Sequence, residues 1–272
     1  MRIIETGTDE LLCSVTNHVA TITLNNPAKR NAMGDKIGPA LRQMLIETET
    51  DPDVRVLVLT GAGTAFCAGG DISSMGDRLA GGGAPDRDAM IERLNESQQA
   101  ISLKLYNFPK PTIAALPGAA AGAGMSLALA CDLRIAATSA ALVPAFGMIG
   151  LSGDFGGSWY LTHLIGPGRA KEIYFTGRRV LADEGHALGI FNHVVADDEL
   201  AQTTATMAAK LAAGPPIALS YMKANHNHAA VSDLASTLQI EAGHMIRSML
   251  TVDHKQAAFA FMTKQKPEFS GR

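Results

Sequence analysis

The sequence predicts an α/β protein. Three observations carry this prediction. The 272-residue chain is long enough to bury a large core, and it combines 47% hydrophobic with 18% charged residues. Short β-rich runs recur and end in turn residues, with helical patterns between them. Such alternation is typical of α/β architectures, but it leaves open whether the strands form one doubly wound sheet or a stacked, repeat-like arrangement.

The elements before residue 140 follow from these runs and their periodicity. The predicted strands are Val19–Leu24, Val54–Thr60, Thr112–Leu116 and Leu133–Ala136. The predicted helices are Ile37–Glu49, Met90–Tyr106 and Gly122–Ala130. Residues 76–88, which are rich in Gly, Pro and charge, predict a mobile flap.

From about residue 167 the pattern becomes helical and rich in Ala, Met and Leu, which suits packing against the body or another subunit. The predicted helices are Arg169–Thr176, Ala182–Leu188, Leu200–Ala213, Ile217–His226, Ser232–Met249 and His254–Lys264. We expect a core over residues 1–200 and a helical region over 201–272.

Composition excludes several classes of function. A net charge of -3 gives no basic face for nucleic acid. The N-terminus is too polar for a signal peptide, and Pro117-Gly118 interrupts the apolar stretch 112–131, so we expect no membrane span. The cysteines, Cys13, Cys67 and Cys131, are odd in number and set among apolar residues, which indicates reduced thiols in a cytoplasmic protein. No spacing indicates a metal site.

The first candidate for chemistry is the stretch 59–72. A strand ends in glycines, and Ala68-Gly69-Gly70 then turns into Asp71 and Ile72. Small residues let the backbone approach a ligand closely and leave its N–H groups unobstructed. The stretch therefore predicts a backbone donor near Ala68, although a small βα turn without function has the same appearance.

The second candidate is the stretch 117–126, where another strand end feeds a helix that begins near Ala123. The first turn of a helix has unpaired N–H groups and a positive dipole end. Phe66 and Leu127 stand where a dinucleotide fingerprint needs its third glycine, and no phosphate-loop lysine follows. Two separate turns with N–H donors favour an oxyanion hole instead.

These stretches resemble the enoyl-CoA hydratase/isomerase (crotonase) superfamily, over nearly the whole chain. The early Asn26-Pro27 and Asn31-Ala32 fit as well. The segment from Gly150 to Trp159 and the ending after Lys264 are most similar to the epoxyphenylacetyl-CoA isomerases of phenylacetate degradation. The resemblance implies a spiral of ββα repeats, followed by C-terminal helices that build a homotrimer or a dimer of trimers.

The resemblance also implies a substrate and its contacts. An acyl-coenzyme A thioester would bind with its oxygen at the N–H groups of Ala68 and Ala123, and no further cofactor would be required. The implied coenzyme contacts are Lys29, Arg30, Ala68, Asp71, Ile72, Phe261 and Lys264. Phe261 and Lys264 resemble the C-terminal pair of the family that covers the adenine of coenzyme A, often from a neighbouring subunit.

Departures from the family pattern narrow the chemistry. Ser126 and Phe146 stand where hydratases carry their two glutamates, so the paired carboxylates that activate water are missing. Asp154 lies in a glycine-rich loop where several isomerases of the superfamily carry a catalytic aspartate. Phe155 and Trp159, with Phe146, would line an apolar pocket around it.

We therefore expect an isomerase that moves a double bond, or rearranges an epoxide, with Asp154 as proton shuttle. The alternatives are an enoyl-CoA hydratase that uses Asp154 alone and a non-catalytic acyl-CoA-binding homologue. If the motifs are set aside, a nucleotide-binding protein with a doubly wound sheet is a further alternative.

Overall fold

The structure is a computed structural model that describes residues 1–71 and 86–272. Its strands are β1 (Arg2–Ile4), β2 (Leu11–Thr16), β3 (Val19–Leu24), β4 (Val56–Gly61), β5 (Ala65–Cys67), β6 (Thr112–Leu116), β7 (Ala119–Ala121), β8 (Leu133–Ala137), β9 (Ala141–Val143), β10 (Val180–Leu181) and β11 (His193–Val195).

The helices in the described residues are α1 (Ile37–Thr50), α2 (Arg87–Gln98), α3 (Lys104–Tyr106), α4 (Ala123–Ala130), α5 (Gly157–Ile165), α6 (Pro167–Thr176), α7 (Ala182–Ala187), α8 (Leu200–Ala212), α9 (Pro216–Ala229), α10 (Leu234–Met249) and α11 (Val252–Met262). A π-helical turn, Gln99–Leu103, joins α2 to α3. Short 3₁₀ turns lie at Pro27–Lys29, Gly147–Ile149 and Asp197–Glu199.

The strands of the described chain form two sheets. The larger has the order β1-β2-β3-β4-β6-β8-β11, and the smaller has the order β10-β9-β7-β5. Strands β4, β6 and β8 pair in parallel in the larger sheet, and the strand after each one, β5, β7 or β9, pairs in parallel in the smaller. Each repeat therefore sends one strand to each sheet, which confirms the stacked spiral of ββα units rather than a doubly wound sheet.

The main core lies around helix α4. All eight residues of this helix are buried, and so are all five of β6. A helix that is apolar all round belongs in the interior of a large protein. A second cluster forms where α8 packs on the larger sheet, with Leu200, Ala208 and Ala212 against residues such as Val58 and Ile113. Helix α4 is thus a rigid, buried support for the backbone groups at its N-terminus.

Most predicted elements are found within a few residues of their expected bounds. Helix α4 begins at Ala123 rather than Gly122, because Gly122 adopts a positive φ of 51° outside the helical region. The sequence did not predict the helix α5 or the strands β1, β2, β5, β7, β9, β10 and β11. The expected flap at 76–88 lies outside the described residues, except for its last three positions at the start of α2.

The C-terminal region from residue 201 is helical, as expected. Its last helices carry large apolar side chains that are exposed in the single chain, among them Leu250 at 71% and Phe261 at 86%. Within residues 1–71 and 86–272, no helix has both the length and the apolar character needed to cross a membrane. The division into a core and an oligomerisation region stays a prediction.

Candidate active site

Two loops meet at Gly69, which follows strand β5. Gly69 has a φ of +94°, and a Cβ there would lie 2.8 Å from the Ala121 carbonyl oxygen and 3.3 Å from the Ala123 nitrogen. Both the dihedral angle and the close approach require glycine. The loop after β5 therefore lies directly against the N-terminus of α4, so that backbone groups of the two loops are neighbours.

The Ala123 N–H is a free donor at this junction. Ala123 is the first residue of α4, so its N–H has no partner within the helix. The neighbouring Gly122 N–H donates to the Val143 carbonyl at 2.9 Å, whereas no described residue accepts a hydrogen bond from Ala123 N–H. This donor, at the positive end of the helix dipole, fits the prediction of an oxyanion contact.

The prediction of a free donor at Ala68 is wrong in this structure. The Ala68 N–H donates to the Arg30 carbonyl at 2.9 Å. Met33 bonds to the Gly69 carbonyl and to the Asp71 N–H, so the N–H of the intervening Gly70 points to the other side of the chain. No described residue accepts a hydrogen bond from Gly70 N–H.

The free N–H of this turn in the described structure therefore belongs to Gly70 and not to Ala68, which sequence reasoning missed. Ala68-Gly69-Gly70 are three consecutive small residues, and composition does not distinguish their N–H groups. The partner that decides between them, the Arg30 carbonyl, is nearly 40 residues distant in the sequence.

Asn31 holds the segment that supplies this carbonyl. Its side chain is fully buried and its amide donates to the carbonyls of Ala62, Ala65 and Phe66 at 2.9, 2.8 and 3.3 Å. Its Oδ1 accepts from the Asn26 N–H at 2.9 Å. The left-handed φ of 57° at Asn31 persists because these bonds fix it. The Asn31 motif of the sequence thus has a supporting role for the oxyanion loop.

Asp154 lies in the loop between the 3₁₀ turn Gly147–Ile149 and helix α5. Its Oδ1 is buried, and neither carboxylate oxygen has a hydrogen-bond partner among the described residues. Burial raises the pKa of Asp154 to about 6, because removal from water disfavours the ionised form. A carboxyl group with a pKa near neutrality can both take up and release a proton at working pH.

The backbone around Asp154 is fixed by three side chains. Ser126, in the first turn of α4, donates from Oγ to the Asp154 carbonyl at 2.9 Å. Gln98 Oε1 accepts from the Phe155 N–H at 2.8 Å, and Ser102 Oγ donates to the Phe155 carbonyl at 2.7 Å. Phe155 is held at a φ of +51°, an unfavourable conformation for an aromatic residue. The short helix α4 therefore carries the Ala123 donor and also anchors the loop of the carboxylate.

The predicted pocket residues fall into two groups. Phe146 and Phe155 are buried in the main core, and the Phe146 ring stacks on Tyr174 with centroids 6.1 Å apart. The Trp159 ring packs instead into a cluster with Tyr106, Tyr160 and His163. Its role in the acyl pocket stays a prediction.

Some of the expected coenzyme contacts lie at the loop after β5, and the others belong to the C-terminal end of the chain. Lys29 Nζ lies 2.8 Å from Asp71 Oδ2 at the exposed rim of the oxyanion loop, and Arg30 is exposed beside it. Phe261, at the end of α11, and Lys264 are exposed. Ile72 lies outside the described residues. All of these contacts stay predictions.

The three cysteines are free and buried, as expected of core thiols. Burial raises the pKa of Cys67 to about 12 and that of Cys131 to about 12, so neither is a reactive thiolate. Within the part of the chain that the structure describes, no group of three or more His, Cys, Asp or Glu side chains is arranged to hold a metal ion.

Comparison with known proteins identifies the family of this chain. The family model for enoyl-CoA hydratase/isomerase matches residues 14–272. The 1,2-epoxyphenylacetyl-CoA isomerase of Escherichia coli K12 is 36% identical over 264 residues, which cover 96% of this chain and 98% of that protein. The short-chain-enoyl-CoA hydratase of Clostridium acetobutylicum is 32% identical over 92% of this chain and 93% of that one.

A solved enoyl-CoA hydratase from a Polaromonas species superposes with a TM-score of 0.87 at 35% identity, covering 95% of this chain and 99% of the other. This chain therefore has the crotonase fold that the sequence motifs predicted. The match of sequence and fold along the chain shows that this protein belongs to the enoyl-CoA hydratase/isomerase family.

Proposed function

We propose that the protein is an acyl-CoA isomerase, which moves a double bond or rearranges an epoxide through a thioester enolate. The observation that carries this proposal is the Asp154 carboxyl group. Its Oδ1 is buried without a hydrogen-bond partner in the described structure, and Ser126 ties its loop to the same helix that offers the Ala123 donor. Enolate chemistry needs these two components, a base and an oxyanion site.

In the proposed double-bond shift, the ionised Asp154 removes a proton from the γ-carbon of an enoyl thioester. The electron pair of that C–H bond moves along the conjugated system onto the thioester oxygen, where the N–H groups of Gly70 and Ala123 stabilise the negative charge. The protonated Asp154 then returns the proton to the α-carbon, and the carbonyl reforms. Loss of one donor of this type costs about 2.7–4 kcal/mol in other enzymes.

An isomerase accounts for the site better than a hydratase. Hydration with two acid–base groups needs a second carboxylate, but Ser126 and Phe146 occupy the positions where the resemblance places the glutamates. The Ser126 hydroxyl is already engaged by the Asp154 carbonyl at 2.9 Å, and Phe146 is buried against Tyr174. Neither can activate a water molecule as a base.

The coenzyme portion would meet Lys29 and Arg30 at the rim of the oxyanion loop. The exposed positions of Phe261 and Lys264 suit a contact with the adenine bound to a neighbouring subunit, and the exposed apolar side chains of α10 and α11 support a homotrimer or a dimer of trimers. We propose this assembly together with the function, since the coenzyme site would be incomplete in a single chain.

Proton exchange in heavy water tests the proposal. With an enoyl-CoA substrate, we expect the wild type to incorporate deuterium at the α- or γ-carbon and to move the double bond. Crotonyl-CoA should lose little of its enoyl absorbance, because its conjugated isomer is favoured at equilibrium. Asp154→Asn should lose about two to four orders of magnitude in exchange while still binding coenzyme A. Asp198→Asn, at an exposed aspartate, is the matched control.

Three results would contradict this function. Full turnover by Asp154→Asn would remove the aspartate from the mechanism. Rapid loss of the crotonyl-CoA absorbance would indicate a hydratase. Tight acyl-CoA binding by the wild type without any exchange would indicate a binding protein.

A further inference from the structure

Tyr174, on helix α6, lies against the Asp154 loop on both sides of the aspartate. The position that a Cβ on Gly153 would occupy is 3.3 Å from Tyr174 Cε1, and the corresponding position on Gly157 is 2.5 Å from the Tyr174 hydroxyl oxygen. A side chain at residue 157 would therefore collide with this hydroxyl. Glycine at this position lets the phenol reach the space beside Asp154.

The Tyr174 hydroxyl and the Asp154 Oδ1 share an unusual property. Each is a buried polar oxygen that has no hydrogen-bond partner in the described structure. A buried polar atom without a partner costs free energy, and native proteins contain few of them. The charge of Asp154 raises the pKa of Tyr174 further, after the effect of burial, so the two groups interact through the same low-dielectric space.

We propose that Tyr174 is the positioning residue of Asp154, with a hydroxyl that donates a hydrogen bond to the carboxylate and accepts one from the protonated carboxyl. A hydrogen bond between the two groups would satisfy both buried oxygens. This inference rests on the proposed function, because it assigns Tyr174 a role in the proton transfer by Asp154.

The phenol suits a proton shuttle for a chemical reason. A hydroxyl can donate or accept, so it can pair with both protonation states that Asp154 adopts during turnover. A lysine or arginine could only donate, and it would hold the carboxylate ionised. Because the pKa of Tyr174 is raised, its proton stays in place at the working pH of the carboxyl group.

Other polar groups on the elements around the loop are engaged or lie at the surface. Helix α4 has no titratable side chain. On α5, the Tyr160 hydroxyl lies 3.0 Å from Ser102 Oγ and His163 Nδ1 lies 2.8 Å from the Trp159 carbonyl. Arg169, Lys171 and Glu172 on α6 and Glu96 on α2 are exposed. Tyr174 is thus the titratable neighbour, among the described residues, that is placed to pair with Asp154.

Tyr174→Phe tests the assignment, because it keeps the ring that stacks on Phe146 and removes only the hydroxyl. Tyr221→Phe is the matched control, since it removes a phenol hydroxyl on α9 from a ring that packs on His244. The first measurement is the titration of the Asp154 carboxyl by isotope-edited infrared spectroscopy, with Asp154→Asn as the blank. It needs folded protein but no turnover. The second is the pH profile of kcat/KM.

A hydrogen bond to the ionised carboxylate is stronger than one to the neutral acid. We therefore expect Tyr174→Phe to raise the midpoint of the Asp154 titration, and the acid limb of the profile, by about one pH unit. The value of kcat should fall about tenfold, with KM nearly unchanged, and Tyr221→Phe should change neither quantity. A titration midpoint and an acid limb equal to those of the wild type would overturn the role of Tyr174. The proposed function would survive that result if Asp154→Asn still abolishes exchange, and it would fail separately if Asp154→Asn retains exchange.

Discussion

Replacement of Asp154 by asparagine should stabilise the fold at neutral pH, even though it removes the proposed base. Burial raises the pKa of this carboxyl from 3.8 to about 6. The folded state therefore holds the proton more tightly than the unfolded state does. The contribution of this group to stability is greatest below about pH 4, and it is lost as the pH rises through about 6.

The magnitude follows from the size of the shift. The difference between 3.8 and about 6 is about two pKa units, and each unit corresponds to about 1.4 kcal/mol, which gives about 3 kcal/mol. Because part of the carboxylate meets solvent, screening reduces the expected effect to about 2 kcal/mol. Asp154→Asn should gain this amount relative to the wild type between about pH 4 and about pH 8.

The assay is urea unfolding of the wild type and the variant at a series of pH values, with the protein concentration fixed in case unfolding is coupled to dissociation. Packing changes caused by the amide do not depend on pH, so they cancel when the difference at low pH is subtracted from that at high pH. Asp198→Asn should show no such dependence. A stability difference between wild type and Asp154→Asn that is constant across the range would refute a buried, destabilising carboxylate.

Two further substitutions test the support of the site. Gly157→Ala would place a methyl group within 2.5 Å of two hydroxyl oxygens, so it should cost about 1–3 kcal/mol in unfolding free energy and lower kcat. Gly168→Ala is the control, because a methyl group at this position on α6 meets nothing within 4 Å. It should leave kcat unchanged and leave the unfolding free energy unchanged or slightly raised. Equal behaviour of the two variants in unfolding and kinetics would contradict the crowding argument. Asn31→Ala leaves buried carbonyls without a donor and should lower the free energy of unfolding by about 3 kcal/mol. Asn95→Ala, at an exposed asparagine, should lower it by less than about 0.5 kcal/mol. A small effect at both positions in urea unfolding would show that the turn does not depend on the Asn31 amide.

The sequence predicted β3, β4, β6 and β8 of the larger sheet because they are apolar, β-rich and closed by strong turn signals. Val19–Leu24 and Thr112–Leu116 have the bounds that were expected. Strands β5, β7 and β9 are three residues long and β7 consists of alanine alone, so they show no periodicity over a useful window. Their existence depends on pairing with strands distant in the sequence, which a local pattern does not contain.

The candidate site likewise contains features that the sequence showed and features that it did not. The small-residue stretches and Asp154 were visible in the sequence, since glycines and a carboxylate in such a loop are local signals. The choice of Gly70 over Ala68 was not, because it depends on the Arg30 carbonyl. Tyr174 was missed because a tyrosine in an amphipathic helix gives no sign that its hydroxyl is buried beside a carboxylate. Long-range contacts decide which atom of a correctly predicted segment is available for chemistry.

In the proposed isomerase, Ser126 links the absence of a glutamate at this position to the support of the single base, Asp154. A glutamate at this position would extend a carboxylate into the space beside Asp154, and two nearby carboxylates cannot both ionise readily. Serine is short, and its hydroxyl donates to the Asp154 carbonyl at 2.9 Å instead. The residue that makes a two-carboxylate mechanism impossible therefore fixes the loop of the remaining carboxylate. One carboxylate with a pKa of about 6 can accept a proton and release it again within the same pocket, which is the property that isomerisation requires and that hydration with two bases does not use.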